Sequence, residues 1–353
     1  MIDFQVGRAR LFIALLGVLG AAACSELVGP GPGHVEDPGI LLVPSTGTGF
    51  LEPIWTKDGS EVVYLTSDAL RNSRGLNAVS ISTHASRRIP GPSSTSNLVR
   101  GSDGDRIYLT LAAGSSGESL EVARLHPTSG AFESVTTVSV GADDHLEVSP
   151  DEKFLVIGST LHNVQTGASM SLPPGRGAGF SPDGSQLLYY RSNPGSSIPS
   201  PVLISTADAS SQALHSTGDF HLAHRWVGNV PHLLKSTASN GAGTSSTIHL
   251  SELNAVTGAA RDIAEFTARF PAVRAAWSPD GNALALWIPE GEISSRTDRT
   301  TLYVIRSAGV PKVVGSIHGS AGEPVFSPSG TAIAYFYYDP EGETGSLYLK
   351  PGI

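Results

Sequence analysis

The fold of this chain is decided by a six-residue pattern, Ala276-Trp277-Ser278-Pro279-Asp280-Gly281, which recurs as Gly179-Phe180-Ser181-Pro182-Asp183-Gly184. Further copies occupy residues 54–59 and 325–330. Proline fixes its own φ angle, aspartate accepts backbone hydrogen bonds from its side chain, and glycine takes a positive φ, so the pattern predicts a tight turn. A β-rich run follows each copy, as in Ala283–Trp287. Each copy therefore predicts a hairpin whose second strand is buried.

The spacing of the copies predicts the architecture. Weaker copies lie between the strong ones, and the aligned positions are 55, 100, 148, 180, 226, 277 and 326. Most repeats are thus about 40–50 residues long, which is typical of four-stranded propeller blades. Turn sequences at 128–130, 165–167 and 256–258 would join the third and fourth strands. We predict an all-β, seven-bladed β-propeller over residues 40–353. The strand at 40–43 would join the last blade and close the ring.

These repeats resemble those of the TolB-like, WD-repeat-related β-propellers of bacterial envelope proteins. The resemblance extends over residues 40–353 and is strongest around positions 55, 180, 277 and 326. It implies a domain of the cell envelope that binds other molecules.

The N-terminus resembles a bacterial lipoprotein signal. Arg8 and Arg10 precede a short apolar segment, and three alanines lead to Cys24, the only cysteine. This resemblance implies a signal peptide at 1–23, lipidation of Cys24, and a flexible Gly/Pro-rich tether at 24–39. The protein would then be lipid-anchored in the cell envelope and face the periplasm or the exterior. The alternative is an ordinary signal peptide and simple secretion.

The charge balance argues against one class of partner. The chain carries 23 basic and 32 acidic residues, a net charge of −9, and no basic cluster. Binding to a phosphate backbone requires clustered lysine and arginine. We therefore expect no nucleic-acid partner, and we expect a monomer.

A candidate binding surface lies at the mouth of the central channel. The residue three positions before each aligned position is predicted to open the innermost strand of its blade. Gly177 and Ala223 hold two of these positions, and the other five are polar: Glu52, Asn97, His145, Arg274 and Glu323. They would present a contact surface to a protein, a peptide or a glycan. The alternative is that strand starts at a wet funnel are simply polar.

The leading functional hypothesis is a non-catalytic binding or scaffold module, since motifs for a serine nucleophile, a zinc protease and a phosphate loop are missing from the sequence. The alternative is a propeller enzyme, a polysaccharide lyase or hydrolase, with its site at the channel. Its candidate catalytic residues are Asp143, Asp144, His145, Asp219 and His221. A transition-metal site is disfavoured, because His221 and His224 would point to opposite sides of an unbroken strand.

A second alternative is a structural propeller stabilised by Ca²⁺. Carboxylates suit Ca²⁺, and adjacent blades would bring several together. The candidate ligands are Glu290, Glu292, Glu323, Asp339, Glu341 and Glu343. They could equally form a solvated acidic rim. We expect no other cofactor.

Overall fold

A computed structural model describes residues 37–44, 53–68, 73–90, 95–100, 106–113, 119–139, 145–193, 195–196, 198–216, 220–239, 246–268, 273–289, 299–306, 310–338 and 345–353. Every regular element within these ranges is a β-strand. None of these residues forms a helix of the length and apolarity that crossing a membrane requires.

The strands form seven antiparallel sheets, which are the blades of a seven-bladed propeller. Blade 1 consists of β2 (Ile54–Trp55), β3 (Glu61–Asp68), β4 (Ser73–Ser80) and β5 (Ser86–Arg88). Blade 2 consists of β6 (Thr95–Arg100), β7 (Ile107–Ala113), β8 (Ser119–Leu125) and β9 (Phe132–Ser139). Blade 3 consists of β10 (Leu146–Val148), β11 (Phe154–Ile157), β12 (Thr160–Asn163) and β13 (Ser169–Ser171). Blade 4 consists of β14 (Gly175–Phe180), β15 (Gln186–Arg191), β16 (Ser200–Ser205) and β17 (Ser211–Ala213). Blade 5 consists of β18 (Phe220–Val227), β19 (Val230–Ser239), β20 (Ser246–Asn254) and β21 (Ala260–Ala268). Blade 6 consists of β22 (Arg274–Trp277), β23 (Ala283–Pro289), β24 (Arg299–Arg306) and β25 (Lys312–His318). Blade 7 consists of β26 (Ser320–Ala321), β27 (Val325–Phe326), β28 (Ala332–Tyr338), β29 (Gly345–Pro351) and β1 (Ile40–Val43).

The predicted turn is a hydrogen-bonded clamp between the first and second strands of a blade. In blade 6 the Ser278 hydroxyl donates to Asp280 Oδ1 at 2.6 Å and accepts the Ala283 amide at 2.8 Å. Asp280 also accepts the Asn282 amide at 3.1 Å. The same bonds recur in blades 1, 3 and 4. The clamp therefore explains why the motif recurs in these four blades.

The core is divided among seven apolar clusters, one at each seam between neighbouring blades. The aromatic residue before each strong turn packs into a seam, as predicted. Trp55 lies between blades 7 and 1, Phe180 between blades 3 and 4, and Phe326 between blades 6 and 7. Each blade is thus held by the side chains of its two neighbours.

Ring closure by the strand at 40–43 is confirmed. Ile40 pairs with Leu349 and Leu41 with Tyr348, so β1 becomes the outermost strand of blade 7. The chain before β1 also reaches blade 6, where Asp37 and Ser316 exchange backbone hydrogen bonds. On the inner side, Trp55 Nε1 donates to the Val325 carbonyl at 2.9 Å. The first and last blades are therefore joined at both the rim and the channel.

Candidate functional site

The antiparallel order gives the propeller two different ends. The Ser-Pro-Asp-Gly turns lie at one end, where each inner strand meets the second strand. The opposite end, which we call the mouth, collects the starts of the inner strands and the ends of the second strands. The predicted contact residues belong to the mouth.

The prediction that the residue three positions before each aligned position opens the inner strand is correct only in part. Arg274 opens β22 and His145 directly precedes β10, as predicted. Gly177 and Ala223 instead lie inside their strands, because β14 begins at Gly175 and β18 at Phe220. Glu323 lies between β26 and β27, since the inner strand of blade 7 is split in two.

His145 and Glu147 form a pair at the start of blade 3. His145 Nε2 lies 2.9 Å from Glu147 Oε1, and the two side chains are 42% and 22% exposed. Glu147 leans toward blade 4: a Cβ added to Gly177 would lie 3.1 Å from Glu147 Cγ. The glycine therefore leaves the space that the carboxylate side chain crosses.

His224 approaches the same strand from the opposite side. It belongs to β18 of blade 5, and a Cβ added to Gly179 would lie 2.7 Å from its Nε2 atom. Burial lowers the pKa of His224, and the charge of Glu147 only partly opposes this effect. The neutral imidazole is therefore favoured at pH 7, with one nitrogen donating and the other accepting.

These contacts make the inner strand of blade 4 the centre of the candidate site. Its glycines Gly177 and Gly179 carry no side chains, and Glu147 of blade 3 and His224 of blade 5 lie against them instead, whereas Gly175 lies against β15 of the same blade. Glu147 and His224 were not predicted to act together. The sequence signal that could have found them is the Gly-x-Gly-x-Gly spacing, which is unusual inside a strand.

A second charged pair lies between blades 6 and 7. Arg274 Nη1 is 4.0 Å from Glu323 Oε1, and both side chains are about half-exposed. Burial raises the pKa of Tyr338 to about 12, and the charge of Arg274 partly opposes the rise. Arg274 therefore lies close to the phenol at the end of β28. Two of the five polar residues predicted at the channel mouth, Arg274 and Glu323, therefore lie next to each other.

The remaining predicted residues cannot be placed with side chains. Asn97 lies opposite Thr110 in β6, and its side chain is outside the described part of the chain. The His221 side chain also lies outside the described part of the chain. A bulge between His221 and Ala223 interrupts the strand, so the argument that His221 and His224 point to opposite sides of an unbroken strand does not apply. Outside the described residues altogether lie Cys24, Glu52, Asp143, Asp144, Asp219, Glu290, Glu292, Asp339, Glu341 and Glu343. Within the described ranges, no group of three or more His, Cys, Asp or Glu side chains is placed to hold a metal ion.

Comparison with known proteins gives structural matches only. No protein-family model matches the chain, and no curated protein matches it. An oligogalacturonate lyase in complex with manganese aligns with a TM-score of 0.63 and 14% identity, covering 89% of this chain and 92% of that one. The oligogalacturonate lyase of Vibrio parahaemolyticus aligns with a TM-score of 0.64 and 12% identity, covering 88% and 92%. TolB from Acinetobacter baumannii aligns with a TM-score of 0.49 and 14% identity, covering 80% and 66%.

At these identities the likeness is one of fold. The chain is a seven-bladed β-propeller, as its repeats predicted. Since unrelated functions share this architecture, function has to be argued from the mouth.

Proposed function

We propose that this protein is a non-catalytic binding propeller of the cell envelope, anchored by lipid at Cys24, whose channel mouth contacts a protein, a peptide or a glycan. The observation that carries the proposal is the gathering of ionisable side chains from neighbouring blades around one mouth. They are His145 and Glu147 of blade 3 and the pair formed by Arg274 of blade 6 and Glu323 of blade 7. Side chains on rigid strands keep their geometry before a ligand arrives, so less ordering entropy is lost on binding.

Site-directed photo-crosslinking in the envelope tests the binding surface. A photoreactive amino acid at Arg274 should give a defined crosslinked species. The matched control is Lys312, which is exposed on the outermost strand of the same blade and should give none. Equal crosslinking at both positions, or none at Arg274, would contradict a binding mouth.

The anchor has a separate test. Metabolic labelling with a lipid precursor should mark the wild-type protein and leave Cys24→Ser unlabelled and released from the membrane fraction. An unlabelled wild-type protein would leave the alternative, simple secretion, in place.

A second candidate function is a polysaccharide lyase, and one observation favours it. The 2.9 Å contact between His145 and Glu147 is the arrangement in which a carboxylate orients an imidazole as a base. In such a reaction the base removes the proton from the carbon beside a uronate carboxylate. The bond between the next ring carbon and the glycosidic oxygen then breaks, a double bond remains in the sugar, and the leaving oxygen takes up a proton to become a hydroxyl group of the other fragment. Asp143, Asp144, Asp219 and His221 are the other candidates for this chemistry.

The lyase candidate predicts unsaturated products from a polyuronate, followed by ultraviolet absorbance. His145→Ala should abolish the signal. His249→Ala is the matched control, because that histidine pairs with Glu265 on the outer strands of blade 5. Without turnover of any uronate or neutral polysaccharide in a broad panel, this candidate is dropped.

The calcium site also stays a prediction. Its ligands would be Glu290, Glu292, Glu323, Asp339, Glu341 and Glu343. Bound Ca²⁺ stabilises the folded state by mass action, so EDTA should lower the melting temperature and added Ca²⁺ should restore it. An unchanged melting temperature would remove this possibility.

A further inference from the structure

The outer rim of the propeller carries its charges unevenly. We call the third and outermost strands of blades 6, 7 and 1, which follow one another around the ring, the basic rim. As the structure describes these strands, they contain seven basic residues and no acidic one: Arg74, Arg87, Arg88, Arg299, Arg306, Lys312 and Lys350. The corresponding strands of blades 2 to 5 contain two basic and five acidic residues: Arg124, Arg261, Glu121, Glu133, Glu252, Asp262 and Glu265. In a chain of net charge −9, positive charge is therefore concentrated on one side of the rim.

Local ion pairs neutralise only part of this charge. Asp37, which precedes β1, lies 2.5 Å from Lys350 Nζ, and Glu61 on the second strand of blade 1 lies 2.5 Å from Arg87 Nη2. Three other basic residues of the rim are exposed: Arg88, Arg306 and Lys312. The sequence contains no basic run, so this cluster exists only because the fold brings three blades together.

Exposed apolar side chains lie within the basic rim. Ile40 and Leu41 are exposed on β1, and Val310, just before β25, is 79% exposed, more than any other large apolar residue in the described ranges. β1 is the outermost strand of blade 7. Such edge strands are usually protected by charged residues or proline, and β1 contains neither. An apolar edge surrounded by positive charge is typical of a surface that contacts another one.

The segment that would carry the lipid joins the ring in the middle of the basic rim. Asp37 and Ser316 of blade 6 exchange backbone hydrogen bonds of 3.1 and 3.3 Å, and β1 then follows in blade 7. Asp37 is thirteen residues after Cys24, and thirteen residues span at most about 45 Å. A lipid on Cys24 would therefore keep this side of the propeller close to the bilayer.

We propose that the basic rim rests on an anionic lipid surface, so that the propeller stands on its edge with its central channel parallel to the bilayer. The lysine and arginine side chains contact lipid phosphates, and the three exposed apolar residues reach the boundary between headgroups and acyl chains. The mouth then opens sideways and stays accessible to a partner. This inference rests on the proposed lipid anchor and adds the surface that the anchored domain contacts.

The composition of the basic rim favours a lipid surface over another polyanion. A nucleic acid would pair with the positive charges and leave Ile40, Leu41 and Val310 in water. A bilayer offers phosphates to the basic side chains and an apolar boundary to these three residues. The anchor also brings the bilayer, rather than a soluble partner, to this side of the ring.

Quenching of a fluorophore by spin-labelled lipid headgroups tests the orientation. Cys24 is the only cysteine, so a cysteine introduced into the lipidated full-length protein can be labelled alone. Ser86→Cys places the label on the basic rim. Ser211→Cys is the matched control in blade 4, because both serines are exposed and begin the outermost strand of their blade. On vesicles of phosphatidylglycerol and phosphatidylcholine, the label at position 86 should be quenched severalfold more than the label at position 211. The difference should shrink on phosphatidylcholine alone and at high salt, which screens the charges.

Charge variants locate the contact without the lipid. The Cys24→Ser protein should sediment with phosphatidylglycerol vesicles at about 10 mM salt, where charges are weakly screened. Adding Arg306→Gln and Lys312→Gln should weaken this partitioning roughly tenfold or more, because each basic residue near an anionic surface contributes to binding. The control, Lys57→Gln with Lys153→Gln, removes the same charge from two exposed turn residues and should change the partitioning little. Both pairs are exposed, so the melting temperature should stay the same.

Three results would overturn the proposal. They are equal quenching at positions 86 and 211, equal loss of partitioning in the two charge variants, and no partitioning of the Cys24→Ser protein. Quenching at position 86 that follows protein concentration rather than lipid composition would assign the basic rim to a second copy of the chain, and this also overturns the proposal.

The anchor and the basic rim fail separately. A lipid label on Cys24 with equal quenching at the two positions leaves the anchor and removes the proposed orientation. An unlabelled Cys24, with vesicle partitioning that depends on Arg306 and Lys312, removes the anchor and leaves the lipid-binding rim.

Discussion

Among the carboxylates of the described ion pairs, Glu252 is the one whose replacement by the neutral amide should destabilise the propeller most. Glu252 is 3% exposed in blade 5 and accepts hydrogen bonds from Arg225 Nε at 2.6 Å and Arg261 Nε at 2.8 Å. Arg225 continues to blade 6, where it donates to the Gly281 carbonyl at 2.5 Å and lies 4.5 Å from the centre of the Trp277 ring. The carboxylate therefore organises a contact that spans a seam.

The magnitude follows from the burial of these groups. Removing one partner of a buried ion pair leaves an uncompensated charge and costs about 3 kcal/mol. Arg261 is half-exposed and can return to water, so most of the loss falls on Arg225. Urea unfolding of Glu252→Gln should therefore show a clearly lower midpoint. The control is Glu133→Gln, which breaks the exposed pair with Arg124 and should hardly move the midpoint.

The pH dependence gives an independent check. Burial alone would raise the pKa of Glu252, but hydrogen bonds and charges from Arg225 and Arg261 outweigh it, so the pKa lies below the ordinary 4.5. A lowered pKa in the folded state means that the stabilisation is full above about pH 4.5 and is lost as the pH falls through the folded-state pKa. The difference between wild type and Glu252→Gln should shrink in acid. A smaller effect than that of Glu133→Gln, or a difference that grows in acid, would refute the reasoning.

Three further predictions concern single contacts. Gly179→Ala should destabilise the protein by about 1–3 kcal/mol, measured by urea unfolding, because φ is +145° and the new Cβ would lie 2.7 Å from His224 Nε2. Leu42→Ala should cost about 2–4 kcal/mol of unfolding free energy, because this buried residue of the closing strand packs between blades 7 and 1, while the exposed neighbour Leu41→Ala should cost little. Asp280→Asn should lower the melting temperature at neutral pH. The Ser278 and Asn282 hydrogen bonds hold the pKa of Asp280 at about 2, so the difference from wild type should vanish as the pH falls from about 4 to 2.

A glycine control separates backbone strain from the histidine contact. Gly167 has φ +72° in a turn, and no atom lies within 4 Å of the place that an added Cβ would occupy. Gly167→Ala should therefore destabilise through backbone strain alone. Only Gly179→Ala should also change the titration of His224 in NMR spectra. An unchanged His224 titration would contradict the contact between them.

The architecture was predictable because the signal for it is local. Ser278, Pro279, Asp280 and Gly281 specify a turn within one hairpin, and repetition of that turn specifies the ring. The closing strand followed from the same count, since the last repeat lacks its fourth strand. Such arguments need no knowledge of which residues meet across a seam.

The candidate site was less predictable because it depends on contacts between blades. Gly179 and His224 are 45 residues apart in the sequence, and their meeting depends on the register of two strands. Bulges in β14 and β18 shift that register by a residue. One residue is enough to move a side chain to the other face of a strand, so offsets counted from the turns could not place His224 against Gly179.

The degenerate repeats show how the ring tolerates loss of its turn motif. Blade 2 lacks the Ser-Pro-Asp-Gly turn, and its Arg106 and Tyr108 instead bind Glu152 of blade 3 at 3.2 and 2.7 Å. Glu152 itself replaces the motif glycine and adopts φ +56°. That conformation is costly for a residue with a side chain, and the two bonds across the seam offset the cost.

Blade 5 also lacks the complete turn motif, and it also makes polar bonds to its neighbouring blades. Its turn, Val227-Gly228-Asn229, lacks the serine and the aspartate, and Asn229 donates instead to Asp183 Oδ2 of blade 4 at 2.6 Å. Arg225 reaches the turn of blade 6 through Gly281. Polar bonds to neighbouring blades thus replace the bonds that a complete motif would make within its own hairpin.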